Sequence, residues 1–457
     1  MSMKNLYNYF IAFFIFAFLT NCTSVKTNII EVKGLSRISI PVIDTTRIVI
    51  KFNGLSDSEI KEQLDSLPVK KDDENIERCQ CGDPNLVQLK WDYDNFTKAE
   101  IQTARNSLTG RRGTAQGDTP FTFSLPLNEG NPYILTDYDR LGKKKLEWLK
   151  NLPALLTNTP TQDFSVNIAV LDTGIDFYKN RDMNPFLYST ENLVGECEDQ
   201  ISGWNFVDKS NNITDNHGHG TYVTRLITSS LEEKDVPYRI LPIKVFNAKG
   251  KGDYWDIICA LSYVNEVQRK SLYPFIVNAS WGYSFFGTQI SDYKLKDYKE
   301  FSIARELIED LEQSTVFVAS AGNAIRNIDV HKQENFPASF TSENLIGVGG
   351  YVVQDETRMT DGNYGPISID VAAPYTDYQF TFNNKLNVPI ENVTLTGSSY
   401  AAAFTTSNIA DLIGTQPEGD IASPDAIKTE FYDVGKGWLK IDTGLIQKIS
   451  NGKYQEY

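Results

Sequence analysis

Two hydrophobic periods alternate along the second half of the chain. Short, nearly continuous apolar runs stand at Val166-Asn-Ile-Ala-Val-Leu171, Arg239-Ile-Leu-Pro-Ile-Lys-Val-Phe246, Phe275-Ile-Val-Asn278 and Thr315-Val-Phe-Val-Ala319. Runs this short, with few polar positions, suit strands buried on both faces. Between them lie longer stretches with helical spacing at Tyr254–Gln268 and Phe301–Gln313, and a helix opening near His219. Repeated strand–helix units predict an α/β fold in which helices cover both faces of a mostly parallel central sheet, giving three layers.

The first third reads differently. A β-rich run Thr46–Phe52 precedes a helix over Ser56–Leu67, where Ser56 with Glu59 three residues later forms a capping box. A second strand, Asn85–Trp91, and a second helix, Phe96–Leu108, follow, which predicts a smaller N-terminal α+β domain. The Gly-rich, polar stretch Thr109–Thr119, with Arg111-Arg112 near its start, reads as an exposed loop or linker. No internal repeat or low-complexity tract is present.

At the extreme N-terminus Lys4 is followed by the apolar run Phe10–Leu19, too short to span a hydrocarbon core of about 30 Å. It has the form of a signal-peptide core. Leu19-Thr-Asn-Cys22 resembles a bacterial lipobox, in which cleavage before Cys22 leaves its thiol to take a lipid, although Asn21 departs from the small residue usual there. An ordinary secretory signal and an uncleaved anchor are the alternatives. The expectation is an exported protein of the bacterial cell envelope, lipid-anchored through Cys22 or secreted.

Length and composition narrow the field. With 457 residues the chain exceeds a usual single domain, and 41% hydrophobic with 23% charged residues is the balance of a folded globular protein. The 44 basic against 59 acidic side chains give a net charge of -15, which repels phosphate backbones, so nucleic acid is not an expected partner. Of the five cysteines, four remain if Cys22 is lipidated, and four permit three pairings. Cys79 and Cys81 are too close to bridge each other easily, Cys-Gln-Cys alone is a weak metal signal, and Cys259 in an apolar stretch reads as a buried free thiol.

Three short segments carry candidate chemistry. Asp172 ends the run Val166–Leu171 and precedes Thr173-Gly174, which puts a carboxylate at the carboxyl edge of a strand. Asp215-Asn-His-Gly-His-Gly-Thr221 opens a helix; a metal pair there is disfavoured because His217 and His219, two apart, would point away from each other. Thr396-Gly-Ser-Ser-Tyr-Ala-Ala-Ala-Phe404 presents serines at the start of a small-residue helix. Each alone has a plain structural reading: a strand end, a helix entry, a serine cap.

In this order, however, the three resemble the motifs of the subtilisin family of serine peptidases, Asp-Thr/Ser-Gly, Asp-x-x-Gly-His-Gly-Thr and Gly-Thr-Ser-x-Ala. The second motif marks His219 rather than His217. Lys244–Gly250, Asn278-Ala-Ser-Trp-Gly282, Ala319-Ser-Ala-Gly-Asn323, Phe336-Pro-Ala338, Asp370–Pro374 and Thr443-Gly-Leu-Ile446 resemble further landmarks, so the likeness runs from about Gln162 to the C-terminus. Ser398 stands where a threonine is usual, Tyr400 where methionine is frequent, and Ala403 where a proline is normal. The divisions implied are a signal peptide at 1–21, an accessory or propeptide-like region at 22–160, and a subtilisin-like catalytic domain at 161–457.

The resemblance implies a serine endopeptidase acting on proteins or peptides. Ser399 would be the nucleophile, His219 the base, Asp172 the group that orients and charges the imidazole, and Asn323 with the Ser399 backbone the oxyanion donors. Ser280, Trp281 and Gly282 would pair with the substrate backbone. No organic cofactor and no catalytic metal is implied; relatives often bind structural calcium, for which no complete ligand set can be assigned here. Two other readings compete. An α/β-hydrolase esterase would place serine before the acid and the histidine, whereas here it is last. A catalytically silent peptide-binding domain would retain the fold without turnover.

Overall fold

The computed structural model describes residues 41–44, 46–65, 76–90, 114–118, 120–125, 166–176, 186–190, 197, 200–271, 275–284, 302–311, 315–330, 333–351, 362–375, 378–383 and 389–414. In chain order, β1 is Val42–Ile43, β2 Arg47–Phe52, α1 Asp57–Asp65, β3 Ile76–Arg78, β4 Leu86–Lys90, β5 Thr114–Asp118 and β6 Phe121–Ser124. The second part comprises β7 (Val166–Asp172), β8 (Trp204–Asn205), α2 (His219–Glu233), β9 (Tyr238–Lys244), β10 (Lys251–Asp253), α3 (Tyr254–Arg269) and β11 (Phe275–Ala279). After these come α4 (Ser302–Glu309), β12 (Thr315–Ser320), β13 (Leu345–Tyr351), β14 (Val371–Pro374), a hairpin of β15 (Tyr378–Asn383) and β16 (Pro389–Leu395), and α5 (Ser398–Gly414).

A seven-stranded sheet in the order β14-β13-β12-β11-β7-β9-β8 forms the centre, and every described pairing in it is parallel. Alternation along the strands assigns the layers. Val166, Ile168 and Val170 of β7 pack with α2 and α5, while Ala169 and Leu171 face the core shared with α3 and α4. The three-layer α/β sandwich is therefore built as the apolar runs imply. Helix α3 is fixed at its start by Asp253, whose carboxylate accepts the Trp255 N–H at 2.9 Å.

The N-terminal sheet has the order β3-β4-β2-β5, antiparallel throughout. Ile48, Ile50 and Phe52 pack against Ile60 and Leu64 of α1, whereas Val49 and Leu86 on the other face join the core under α3 and α4. The capping box is present: Glu59 accepts the Ser56 N–H at 2.7 Å, and Ser56 Oγ accepts the Glu59 N–H at 3.4 Å. Residues 114–118, read from sequence as part of a loop, are instead strand β5. Pairing of Val49 with Asp118 and Ile50 with Gly117 along β2 satisfies backbone that a free edge would leave open, and that outweighs the turn-like composition. The helix expected at Phe96–Leu108, the leader, Cys22, Arg111-Arg112 and Thr443–Ile446 lie outside the described residues.

Charged and covalent contacts join the two parts. Arg47 grips Asp253 with two hydrogen bonds of 2.7 and 3.2 Å, and Lys51 reaches Glu306 at 2.9 Å and Asp310 at 3.1 Å. Glu77 pairs with Lys209 and Lys90; against the upward pull of burial, those partners hold its carboxyl down at about 2. Asp118 accepts from the Tyr254 hydroxyl at 2.6 Å and from the Ile303 N–H at 3.1 Å, which satisfies a buried backbone donor in the first turn of α4. Disulfides link Cys79 to Cys259 and Cys81 to Cys197. Cys259 is thus bonded rather than a free thiol: its helix α3 presents it toward the N-terminal sheet, a neighbour that local apolar sequence could not reveal.

Candidate active site

Asp172 leaves β7 at its carboxyl end, buried, with one carboxylate oxygen taking the Thr173 N–H at 2.7 Å. His219 is the first residue of α2, and its Nδ1–H faces both Asp172 oxygens at 2.8 and 2.9 Å. The contact requires α2 to touch the strand end. A Cβ on Gly220 would come within 2.4 Å of the Gly174 carbonyl and 3.0 Å of Asp172, so only glycine permits it. Gly218, just before, takes the left-handed φ of 104° that turns the chain into the helix.

Asp215 organises this entry. Its fully buried carboxylate accepts the backbone N–H groups of His217 and Gly218, both at 2.8 Å, and the Thr221 N–H and hydroxyl at 3.0 and 2.7 Å. Burial alone would raise its pKa, but the Lys244 charge and these donors outweigh it and keep the group ionised. Lys244 is itself buried, donates to the Thr173 carbonyl at 2.6 Å, and is pulled below its ordinary pKa mainly by desolvation. Desolvation also opposes the charged form of His219, yet the Asp172 charge and hydrogen bond prevail, and its pKa is raised above 6.5. His217 moves the opposite way, with burial the largest cause and the His219 charge next.

Ser399 lies in the first turn of α5, beside Ser280, which follows β11. The two serines exchange hydrogen bonds: Ser399 Oγ donates to the Ser280 carbonyl at 2.8 Å, and Ser280 Oγ donates to the Ser399 carbonyl at 2.7 Å. The adjacent Tyr400 ring is 5.8 Å from the His219 ring, so the start of α5 flanks the imidazole. The fold thus unites Asp172 and His219 directly, and holds the Ser399 hydroxyl on the Ser280 carbonyl in the helix turn whose Tyr400 ring flanks the imidazole. Trp281 is buried, with its indole N–H donating to the Leu171 carbonyl at 2.8 Å, and a Cβ on Gly282 would meet Asn335 at 2.2 Å.

Asn323 is held at its oxygen end. Asn323 Oδ1 accepts the Ser398 N–H at 2.9 Å and the Tyr375 hydroxyl at 3.0 Å, which fixes the amide so that Nδ2 is the opposite end. Ser398 Oγ in turn accepts the Gly322 N–H at 3.0 Å. Asn363 ties the same loop, donating to the Ala321 carbonyl at 2.6 Å and accepting from the Ala324 N–H at 3.0 Å. Asn363 and Tyr375 are not evident from sequence, because single polar residues outside a motif carry no spacing signal; Asp215 stands in the motif, but its hydrogen bonds do not follow from it.

One more element reaches this region. Strand β6 pairs antiparallel with β10, Phe123 opposite Gly252 and Ser124 opposite Lys251, and Leu125 continues with its N–H on the Gly250 carbonyl at 2.8 Å. Phe123 lies among Phe246, Trp281 and Tyr283 at ring distances of 5.4, 6.0 and 5.4 Å. Gly250 abuts His217, whose ring is 6.4 Å from His219. A strand from the N-terminal part therefore ends beside the Asp172–His219 pair.

The parallel α/β sandwich thus sets an Asp–His pair at a strand's carboxyl edge and a serine in the first turn of a helix. The profile of the Subtilase family matches residues 164–432, more than half of the 457 residues, and the chain belongs to that family. It is 24% identical over 400 residues to the cell wall-associated protease of Bacillus subtilis (strain 168), covering 82% of this chain and 39% of that protein. The subtilase-type proteinase RRT12 of Saccharomyces cerevisiae is 25% identical over 249 residues, 53% of this chain and 46% of its own length. The chain thus matches less than half the length of either relative. Among solved structures, that of a lanthipeptide protease aligns with a TM-score of 0.45 at 19% identity, over 68% of this chain and 93% of that one.

Proposed function

We propose that the protein is a serine endopeptidase whose triad is Asp172, His219 and Ser399. The observation that carries this is the Nδ1 contact of His219 with both Asp172 oxygens, made at the helix start that flanks Ser399. Attack begins when the Ser399 hydroxyl leaves the Ser280 carbonyl, by rotation to another staggered position, and gives its proton to His219 Nε2. Asp172 stabilises the imidazolium so formed. The Asn323 Nδ2 group and the Ser399 N–H donate to the developing oxyanion, and His219 then protonates the leaving amine. This chemistry draws on the chain's own groups without an organic cofactor. Substrates are protein or peptide segments that bind extended along β10 and residues 280–282.

In the described arrangement the N-terminal domain acts as a cover, with β6 laid on β10 where an extended substrate would add. The form described is accordingly a resting one. Export to the bacterial envelope, with lipid on Cys22, completes the proposal. The test is covalent labelling of the protein with a fluorophosphonate probe, mapping of the labelled residue by mass spectrometry, and hydrolysis of an unstructured protein. Labelling at Ser399 with turnover supports the reading. Absence of both, in a chain freed of its N-terminal domain and shown to be folded, favours the peptide-binding alternative.

A further inference from the structure

The two disulfides do not lie within either part of the molecule. Each joins the N-terminal sheet region to the second part: Cys79, just after β3, to Cys259 on α3, and nearby Cys81 to Cys197. All four cysteines are buried, with relative exposures of 1, 0, 6 and 4% for Cys79, Cys81, Cys197 and Cys259. Around them the same interface holds the bidentate Arg47–Asp253 pair, the Lys51 contacts to Glu306 and Asp310, and Asp118 buried between Tyr254 and the start of α4. The backbone approaches closely as well, since the Asp83 N–H reaches Ser262 Oγ at 2.7 Å and a Cβ on Gly82 would strike that oxygen at 2.5 Å. All these contacts lie outside the chain between Leu125 and Val166, so none depends on that connection being intact.

We infer that the surface formed by α3, the start of α4 and β10 is a standing interface for the described residues between Pro41 and Leu125, and that cutting the backbone between Leu125 and Val166 does not part them. The inference rests on the peptidase and cover readings above and adds how the cover is kept. A cut product remains two pieces of chain joined at Cys79–Cys259 and Cys81–Cys197, with β6 still on β10. Tethering raises the local concentration of the cover to the order of millimolar, so a segment of only micromolar intrinsic affinity keeps the cleft occupied by a factor of about 10³. Separation takes thiol–disulfide exchange. Two dithiols supply four electrons and four protons, each closes into its own disulfide, and four thiols appear on Cys79, Cys81, Cys197 and Cys259. Because the bridges are buried, exchange needs a local opening of the interface first.

Two measurements on the full chain test this. The Ser399→Ala form, purified under oxidising conditions with free thiols blocked, is cut by cyanogen bromide after Met183 and run on a denaturing gel. The piece carrying Cys79 and Cys81 is expected to migrate with the piece carrying Cys197 and Cys259, and to separate from it only after dithiothreitol. Separate bands without reductant overturn the inference. In the second, a site-specific protease sequence is inserted between Leu125 and Val166 of the active chain. After cutting, hydrolysis of an unstructured protein is expected to stay low and to rise roughly 10²-fold or more when dithiothreitol is added and the sample diluted. A nicked, unreduced enzyme as active as the reduced one overturns the retention of the cover. If no state hydrolyses substrate or takes the serine probe, the peptidase reading fails, while the gel still decides the linkage.

Discussion

The hydroxyl of Tyr375 donates to Asn323 Oδ1 at 3.0 Å, sharing that oxygen with the Ser398 N–H. Tyr375 follows β14 and is almost wholly buried against Gly350 and Gly362, so its ring is a fixed post from which the hydroxyl aims the amide. Tyr375→Phe keeps the ring and removes one bond of ordinary strength, about 0.5–1.5 kcal/mol, which predicts a fall in kcat of roughly 2- to 12-fold with KM unchanged. In an Asn323→Ala background the same change should add little, as expected for residues acting through one contact. Additive losses in the double variant would show that Tyr375 acts elsewhere.

Asn323→Ala is expected to lower kcat by about 10² to 10³, the scale known from subtilisin itself, with little change in KM. The donor serves charge present only during reaction. A raised KM at constant kcat would instead make Asn323 a substrate contact.

Ser399→Ala or His219→Ala should remove about 10⁶ of kcat, again the subtilisin scale, while circular dichroism stays unchanged; Asp172→Ala should also abolish most activity. Ser398→Ala is expected to be far milder, since Ser398 Oγ only accepts the Gly322 N–H at 3.0 Å. Normal hydrolysis by Ser399→Ala rules out the assigned nucleophile.

The pH profile follows from His219. Its pKa is raised above 6.5, with burial opposing and the Asp172 charge prevailing, and it must be neutral to accept a proton. In the uncovered enzyme kcat/KM should therefore fall as pH drops through a midpoint above 6.5. Asp172→Asn removes the charge that offsets burial, so the residual activity should show a lower midpoint. An unmoved midpoint would mean another group sets the acid limb.

Asp256, half-buried in the first turn of α3, is raised to about 8, chiefly by desolvation and then by Asp253 and Glu77. Its folded pKa lies above the unfolded 3.8, so from about pH 4 to 8 the unfolded state binds fewer protons. Stability from this group is full below that window and is lost as pH rises through it. Asp256→Asn should flatten the decline in Tm between pH 5 and 8; an unchanged slope would assign the decline to other groups.

The sheet was legible where physics is local. Val166–Leu171 and Thr315–Ala319 announce buried parallel strands because they are short and almost wholly apolar, and the observed β7 and β12 extend each run by one residue. Strand β13, Leu-Ile-Gly-Val-Gly-Gly-Tyr, was hidden by its glycines, which the packing demands: a Cβ on Gly347 would meet the Ser368 carbonyl at 2.0 Å. Motif order disclosed Asp172, His219 and Ser399, since their spacing is fixed by the fold they share. Tyr375 and Asn363 bear on the site through hydrogen bonds from segments remote in sequence, and no local pattern marks such a partner. Cysteine pairing was equally closed to sequence, because it depends on how the N-terminal sheet docks.

The bridges span 180 residues for Cys79–Cys259 and 116 for Cys81–Cys197, the shorter loop nested inside the longer. As the chain is made, Cys79 and Cys81 emerge before either partner. Cys197 follows, and Cys259 only after α2 and β9 have passed, so the inner bridge is the first that can form. The second bridge closes on α3 and so waits until the chain has been made as far as Cys259. Heterologous production in a reducing cytosol would deprive the chain of both, whereas secretion into an oxidising space lets them close from the inside outward.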